Sequence, residues 1–463
     1  MNTTRRNFLK STALMSGGLV IGCYIPQTMR LVHAEDDKAP LMNAWLRIGS
    51  DNRITLLMAH SEMGQGVYTA LPMLIAEELE VAVANIKLEP VPIVETYNNP
   101  LVGSILTGGS TTVRSRWQGL RQAAAQARHM LIATAAEQWQ VKAETCEAKN
   151  GQIRHPSTNR AFNYGELAEQ AAQKIPPDEV QLKSADEFKV LGQPIPRIDT
   201  PAKVNGSAQF GLDVRLPNML YAAVQQAPVF GSQAKSYDEA AAKAVPGVKA
   251  VVKLPNGVAV VASSYWQAQK GVKALNTQFT DTDNSQIDSK TISQELKAGL
   301  SAQQAAQAQS KGEDIQKALK AVQDTLEAEY SVPFLAHATM EPMNCTAMVE
   351  ENRCEIWVPT QAQSLVQKKA VAITGLGPEK IKINTTYLGG GFGRRAETDF
   401  VEQALLLSQA VKQPVQVVWS REEDMQHDVY RPAAMVKMTA GLDEQGKPTA
   451  LKSRIVSPSI FAR

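Results

Sequence analysis

Cysteine is scarce in this chain. Cys23, Cys146, Cys345 and Cys354 are the only four in 463 residues, and no two of them form a C-x-x-C pair. Scattered in this way they can hold neither an iron–sulfur cluster nor a zinc site. If the protein is exported, Cys345 and Cys354 are the pair available for a disulfide. A bias of charge is missing too. Lys and Arg number 48 against 46 Asp and Glu, a formal charge of +2, and that balance gives no sign of nucleic acid or an anionic membrane surface as partner. The uncharged run over residues 11–29 is broken by glycines, Pro26 and Gln27, so it is too weakly apolar to span a membrane. No repeat of fixed period occurs. What remains is ordinary: 44% apolar and 20% charged residues suit a globular protein, and the length suits two to four domains.

The N-terminus carries an address. Residues 4–10 read T-R-R-N-F-L-K, a twin-arginine pattern, and Val32-His33-Ala34 is an A-x-A-like cleavage site. Residues 1–34 are therefore expected to be a signal peptide sending the protein to the periplasm by a route that carries folded proteins, often with a cofactor inside. Val20-Ile21-Gly22-Cys23 also resembles a lipoprotein cleavage site, which would leave a lipid anchor on Cys23. Both cleavage points stay open.

Three turns rich in glycine and small residues stand out. In the first, Ile381, Ile383, Thr385 and Tyr387 alternate as in a strand, and Phe400, Val401, Ala404, Leu405, Ser408 and Val411 recur at helical spacing. Between them lies Leu388-Gly389-Gly390-Gly391-Phe392-Gly393-Arg394-Arg395. It is neither G-x-G-x-x-G nor a P-loop. Glycine permits positive φ and close backbone approach to a ligand, and a helix N-terminus with two arginines favours an anion. For Gly-Gly-Gly alone a tight structural turn explains as much, but an aromatic wedged between glycines in an exposed turn is hard to explain as packing. The second turn, Ser61-Glu62-Met63-Gly64-Gln65-Gly66, precedes a helical pattern through Val67, Leu71, Leu74, Ile75 and Leu79, after strands over residues 44–59. The third, Leu106-Thr107-Gly108-Gly109-Ser110-Thr111-Thr112, precedes a long helix whose Val113, Trp117, Leu120, Ala124, Ala127 and Leu131 share one apolar face. Turns of this kind, far apart in sequence, are expected to converge on one large polar ligand. Pro176-Pro177 and residues 194–201 read as linker, residues 206–276 as β-runs alternating with Ala-rich helices, and 281–325 as solvated helices.

Met63-Gly64-Gln65-Gly66, residues 107–112, Thr360-Gln361 and residues 389–393 together resemble the molybdenum-cofactor-binding large subunits of the xanthine dehydrogenase and aldehyde oxidase family. The Met-Gly-Gln-Gly motif comes first here, as in the branch of the isoquinoline 1-oxidoreductase beta subunit and the periplasmic aldehyde dehydrogenases. The resemblance implies an α+β, multi-domain molybdopterin-binding architecture. After the signal would come a permuted part of the second cofactor domain (40–180), an α/β hammerhead domain (190–325) entered at residues 197–206, and the first cofactor domain (326–463).

The resemblance also implies roles. Gln65 and Gln361 would face the molybdenum or its pyranopterin, with Gly64 and Gly66 shaping the loop. Gly108, Gly109, Ser110, Thr111 and Thr112 would wrap pterin and phosphate through N–H and hydroxyl groups. Gly391 and Gly393 would let the Phe392 N–H approach the metal's oxo group, and Arg394 and Arg395 stand ready for phosphate or solvent. The implied cofactor is molybdenum-molybdopterin in its cytosine dinucleotide form, and no protein side chain ligates the metal. His337 is expected to make a local hydrogen bond. Partners would be a small subunit with two [2Fe-2S] clusters, a c-type cytochrome as a further acceptor, and a small-molecule substrate, with no nucleic acid. The chemistry implied is hydroxylation of aldehydes or N-heterocyclic aromatics with oxygen from water, assisted by a glutamate. That glutamate is expected beyond Arg463, so the sequence reads as a C-terminally incomplete subunit. Ala396 stands where relatives that bind purines carry a glutamate, which argues against xanthine. Two alternatives remain: an exported, non-redox binder of a nucleotide or phosphate ligand, and an inactive truncated remnant.

Overall fold

The computed structural model describes residues 18–24, 42–306, 308–312 and 314–460. The twin-arginine pattern and the Val32-His33-Ala34 site lie outside them. The described chain divides into two compact units, each discontinuous in sequence. One combines the residues up to Met219 with Met343–Val417, and the other combines Leu220–Pro342 with the residues from Val418 onward.

All three glycine turns fall in the first unit. Its N-terminal sheet runs β1 (Gly18–Tyr24), β2 (Met42–Gly49), β3 (Ile54–Met58) and β4 (Ile86–Pro90), antiparallel except for the parallel pair β3–β4. A parallel neighbour needs a crossover, and α1 (Val67–Leu79) supplies it between β3 and β4. The helix α2 (Thr112–Trp139) lies beside α1. Leu71, Leu74, Ile75 and Leu79 of α1 and Leu120, Ala124, Ala127 and Leu131 of α2 join Leu46, Ile48 and Leu56 in one core. The alanines at 123, 124 and 127 are fully buried, and their small side chains let the helices approach closely. The apolar face expected from Val113 to Leu131 is buried only from Leu120 onward. Val113 and Trp117, on the first two turns, are more than a third exposed.

The second ladder of this unit has β5 (Asn344–Val349), β6 (Cys354–Val358), β7 (Ile381–Thr385) and β8 (Val415–Val418) in the order β8-β5-β6-β7. β6 and β7 are parallel, crossed over by α3 (Gln363–Thr374), and α4 (Asp399–Val411) packs on β5. Cys345 and Cys354 sit in the β5–β6 hairpin as free thiols, so the disulfide expectation fails. Cys354 faces Val349 across the ladder, four residues along β5 from Cys345. That offset is about 13 Å, well beyond the ~7 Å limit for a bridge. Burial pushes both thiols up, Cys354 to about 12.

In the second unit Leu220–Gln226, Gly257–Ala262 and Val248–Leu254 form antiparallel pairs covered by the helix Tyr265–Ala274. Asp324–Val332, Ala434–Leu442 and Pro448–Val456 form a separate three-stranded antiparallel sheet. The helices Ser289–Gly299 and Ile315–Ala321 have no buried residue, in keeping with the solvated reading of 281–325. The architecture is α+β. Among the described residues no helix is long and apolar enough to cross a membrane.

Candidate functional site

The three turns meet. Two of them follow β-strands of the first unit and the third opens α2, and a set of buried polar groups ties them together. The Ser61 N–H donates to Thr107 Oγ1 (2.9 Å), and Ser61 Oγ donates to the Thr360 carbonyl (2.7 Å). The Leu388 N–H donates to the Glu62 carbonyl (3.2 Å). Gln361, 3% exposed, is the central tie. Its carbonyl accepts from the Thr107 N–H (2.7 Å), its Nε2 donates to the Thr107 carbonyl (2.9 Å), and its Oε1 accepts from the Gly393 N–H (3.0 Å). One side chain thus holds the 107–112 turn and the 389–393 turn in register.

Glycine is required at this junction. A Cβ on Gly391 would lie 2.5 Å from Met63 Sδ and 2.7 Å from Gln361 Oε1. Gly64, Gly66, Gly109, Gly390 and Gly393 all have positive φ, and so do Ser110 and Phe392. At Gly64 and Gly66 an added Cβ would meet nothing within 4 Å, so these two face open space. Phe392 (φ 56°) leaves its ring 69% exposed, which fits its sequence reading as an aromatic outside the core.

Several predicted side chains point elsewhere. Arg394 and Arg395, expected at a phosphate or in solvent, are 1% and 0% exposed. Arg394 makes a bidentate pair with Asp399 (3.0 and 2.7 Å), and Arg395 donates to the Gly390 carbonyl (2.8 Å). Their guanidiniums brace the turn from behind, because Asp399 at the start of α4 draws Arg394 inward. The hydroxyls of Thr111 and Thr112, expected around a phosphate, are also turned inward. Thr111 Oγ1 donates to the Gly108 carbonyl and accepts from Asn99 Nδ2, while Thr112 Oγ1 meets His60 Nδ1 at 3.2 Å. Gly109 and Ser110 are the exposed members of that turn. Gln65 is exposed, but its amide is folded back: Oε1 accepts from the Met63 N–H (2.7 Å) and Nε2 donates to the Ser61 carbonyl (2.9 Å). In the second unit, His337 Nδ1 lies 2.9 Å from the Asp428 carboxylate, a local bond. Among the described residues no group of three or more His, Cys, Asp and Glu side chains is placed to hold a metal ion.

Two residues were missed. Glu62, directly before the Met-Gly-Gln-Gly turn, is buried and accepts from the Gly64, Gly66 and Tyr68 N–H groups (2.9, 3.0 and 2.9 Å). An acidic residue just ahead of a glycine turn was the available signal. Arg197 reaches the same turn from the segment read as a domain entry, and nothing local in sequence announces that. It pairs with Asp199, as does Lys203. Burial by itself would raise the Asp199 carboxyl, but these two cations overcome it and hold the pKa at about 2.

Residues 4–214 and residues 299–459 each match a family described as a molybdopterin cofactor-binding domain. The chain is 31% identical to the isoquinoline 1-oxidoreductase subunit beta of Brevundimonas diminuta over 91% of its own length and 60% of that protein's. It is 25% identical to the membrane-bound aldehyde dehydrogenase [pyrroloquinoline-quinone] of Gluconacetobacter polyoxogenes, covering 97% of this chain and 59% of the other. Against the solved aldehyde oxidoreductase of Desulfovibrio gigas the TM-score is 0.47 at 16% identity, covering 87% of this chain and 52% of that one. The chain thus spans about three-fifths of the length of these two curated relatives.

Proposed function

Since the chain belongs to the molybdopterin cofactor-binding family, we propose that it is the cofactor-holding part of an exported molybdenum hydroxylase, acting as that enzyme's large subunit. The observation that carries this reading is the convergence of three separate glycine turns, two tied through Gln361 and the third through Ser61 and the Glu62 carbonyl. It gives one wall of backbone groups around glycines that no side chain fills, a surface suited to a large, polar, flat ligand. The residues fit such a group. Gly64 and Gly66 leave open space above the 61–66 turn, and Gly391 allows the 389–393 turn to close onto Met63 and Gln361. Gly109, Ser110 and Phe392 all take positive φ, and turns of this kind offer backbone N–H groups to anionic oxygens.

When bound, the molybdenum–pterin group supplies two-electron oxidation of the substrate carbon with oxygen from water. The chain's own residues orient it. Gln361 holds two turns at a fixed separation, while Arg394 and Arg395 stiffen the 389–393 turn from the protein side. The substrate class is an aldehyde or an N-heterocyclic aromatic compound, the cofactor carries the cytosine dinucleotide, and electrons leave to a [2Fe-2S] subunit.

The test is metal content. The purified protein together with its small subunit is expected to contain close to one molybdenum per chain. Gln361→Ala should lose most of it, since the buried Thr107 carbonyl loses its partner at about 1–3 kcal/mol and the Gly393 N–H is no longer tied to it. Wild type without molybdenum would sink the reading and favour a non-redox binder of a phosphorylated ligand.

A further inference from the structure

We infer that Glu62 is a positioning residue: an internal anion that occupies the N-terminus of α1 and, locked by Arg197, sets the shape of the 63–66 turn. The inference rests on the molybdenum-cofactor reading, because it concerns how that turn is offered to the group.

The first N–H groups of a helix lack intrahelical partners and ordinarily make a ready anion site. In α1 that place is taken. The Glu62 side chain has no exposed surface. Its Oε1 accepts from the Gly64 and Gly66 N–H groups, and its Oε2 accepts from the Tyr68 N–H. A second carboxylate or phosphate at this end would meet both occupied donors and a like charge. The 63–66 turn is therefore closed to an anion and open to a neutral, flat part of a ligand. The Gly109, Ser110 and Phe392 N–H groups face no such internal carboxylate among the contacts described, while Gly393 already donates to Gln361 Oε1, so those three are the ones left for anionic oxygens.

Arg197 grips the same turn from the other side. Its guanidinium donates to Glu62 Oε1 (3.0 Å), to the Gly64 carbonyl (2.7 Å) and to both oxygens of Asp199 (3.0 and 2.8 Å). The next residue, Ile198, donates its N–H to Thr69 Oγ1 (3.1 Å). Glu62 thus holds the N–H groups of the turn and Arg197 holds one of its carbonyls. Between them the positive-φ conformations of Gly64 and Gly66 have little freedom, and the Gln65 amide is kept folded on its own loop. Capping of α1 alone would explain Glu62, but it leaves the Arg197 bond to the Gly64 carbonyl without a purpose.

Because the Arg197 side chain is about one-third exposed, replacing it spares the core. Arg197→Gln, Arg197→Lys and Glu62→Gln would be made in the full chain. Hydrogen exchange would be read at the Gly64, Gly66 and Tyr68 amides, with thermal midpoint and molybdenum content per folded chain measured alongside. Arg197→Gln is expected to speed exchange at Gly64 and Gly66 at least tenfold and to cut molybdenum content per folded chain several-fold, with a lowered midpoint because buried Glu62 loses its cationic partner. Arg197→Lys should restore part of both, since one ammonium reaches fewer of the acceptors. Glu62→Gln should add Tyr68 to the fast amides. Exchange indistinguishable from wild type in Arg197→Gln overturns the inference, and so does molybdenum loss that only tracks the unfolded fraction. Wild type without molybdenum defeats the function reading instead, and the exchange arm then decides the positioning role by itself.

Discussion

A histidine that stays neutral through the mildly acidic range shows how much the surroundings of one residue decide. His60 is buried, and burial, with the nearby Arg116 charge, lowers its pKa from 6.5 to about 3. Arg116 Nε donates to His60 Nε2 (3.2 Å). A guanidinium has only donors, so the imidazole proton sits on Nδ1 and points at Thr112 Oγ1. The unfolded chain protonates this histidine near pH 6.5 and the folded chain does not. The stability it contributes is therefore complete above that pH and falls by about 1.4 kcal/mol per pH unit as the pH drops toward 3. Urea midpoints at pH 7, 5.5 and 4.5 should fall more steeply for wild type than for His60→Asn, which has no group to protonate. Equal slopes would show that His60 is not the neutral core residue described. The same scale shows why Arg394 was misplaced from sequence. An arginine beside glycines reads as an anion receptor until Asp399, five residues on, is seen to accept from both of its terminal nitrogens.

At the scale of an element, α1 and α2 are joined by charge as much as by apolar packing. Glu77 and Glu78 are buried in the last turn of α1. Glu78 accepts from Arg121 of α2 (2.8 Å), whose side chain is 7% exposed, and Arg128 lies 3.5 Å away. Glu77 meets Lys183 and the Lys189, Val190 and Leu191 N–H groups. Burial raises the Glu77 carboxyl, but those donors outweigh it and the net shift is downward. Removing one partner of a buried pair leaves an uncompensated charge, so Arg121→Ala should destabilise the fold by about 3–5 kcal/mol. Arg121→Met with Glu78→Gln together should cost much less, and denaturant titration of the two variants measures the difference. The helix pattern here was legible, since its 3.6-residue period comes from the chain's own geometry. The buried carboxylates were not, because their donors lie about 40 to 110 residues away.

For the whole molecule, the second unit leaves an apolar sheet face uncovered among the described residues. Leu326, Tyr330 and Val332 alternate along one strand, and register sets Leu326 beside Ala440 and Leu451, and Tyr330 beside Val436 and Ile455. Leu326, Tyr330, Val332, Leu451 and Ile455 are each more than half exposed. Three nine-residue strands present a face on the order of 400 Å², the size of the largest apolar patch on a typical monomer and often a functional one. Tyr330→Ser combined with Ile455→Thr should reduce hydrophobic-dye binding and self-association in sedimentation, with the thermal midpoint moving by no more than about 2 °C. Unchanged dye binding would place the sticky surface elsewhere.

The three glycine turns, the strands before two of them and the helices after them could be read from the residues alone, because glycine's freedom and hydrophobic period are local properties. That the turns meet was an inference from their likeness, and the folded chain bears it out. Which side chains face the meeting point was decided only in three dimensions. Thr111, Thr112, Gln65 and Arg394 have chemistry suited to a ligand, yet each is engaged within the protein first: Thr111 and Gln65 with backbone groups, Thr112 with His60, and Arg394 with Asp399. Glu62, Arg197 and Gln361 hold the place together through bonds spanning tens to hundreds of residues. Such bonds form wherever a polar group must be buried and a partner is within reach, and only the tertiary structure brings that partner there.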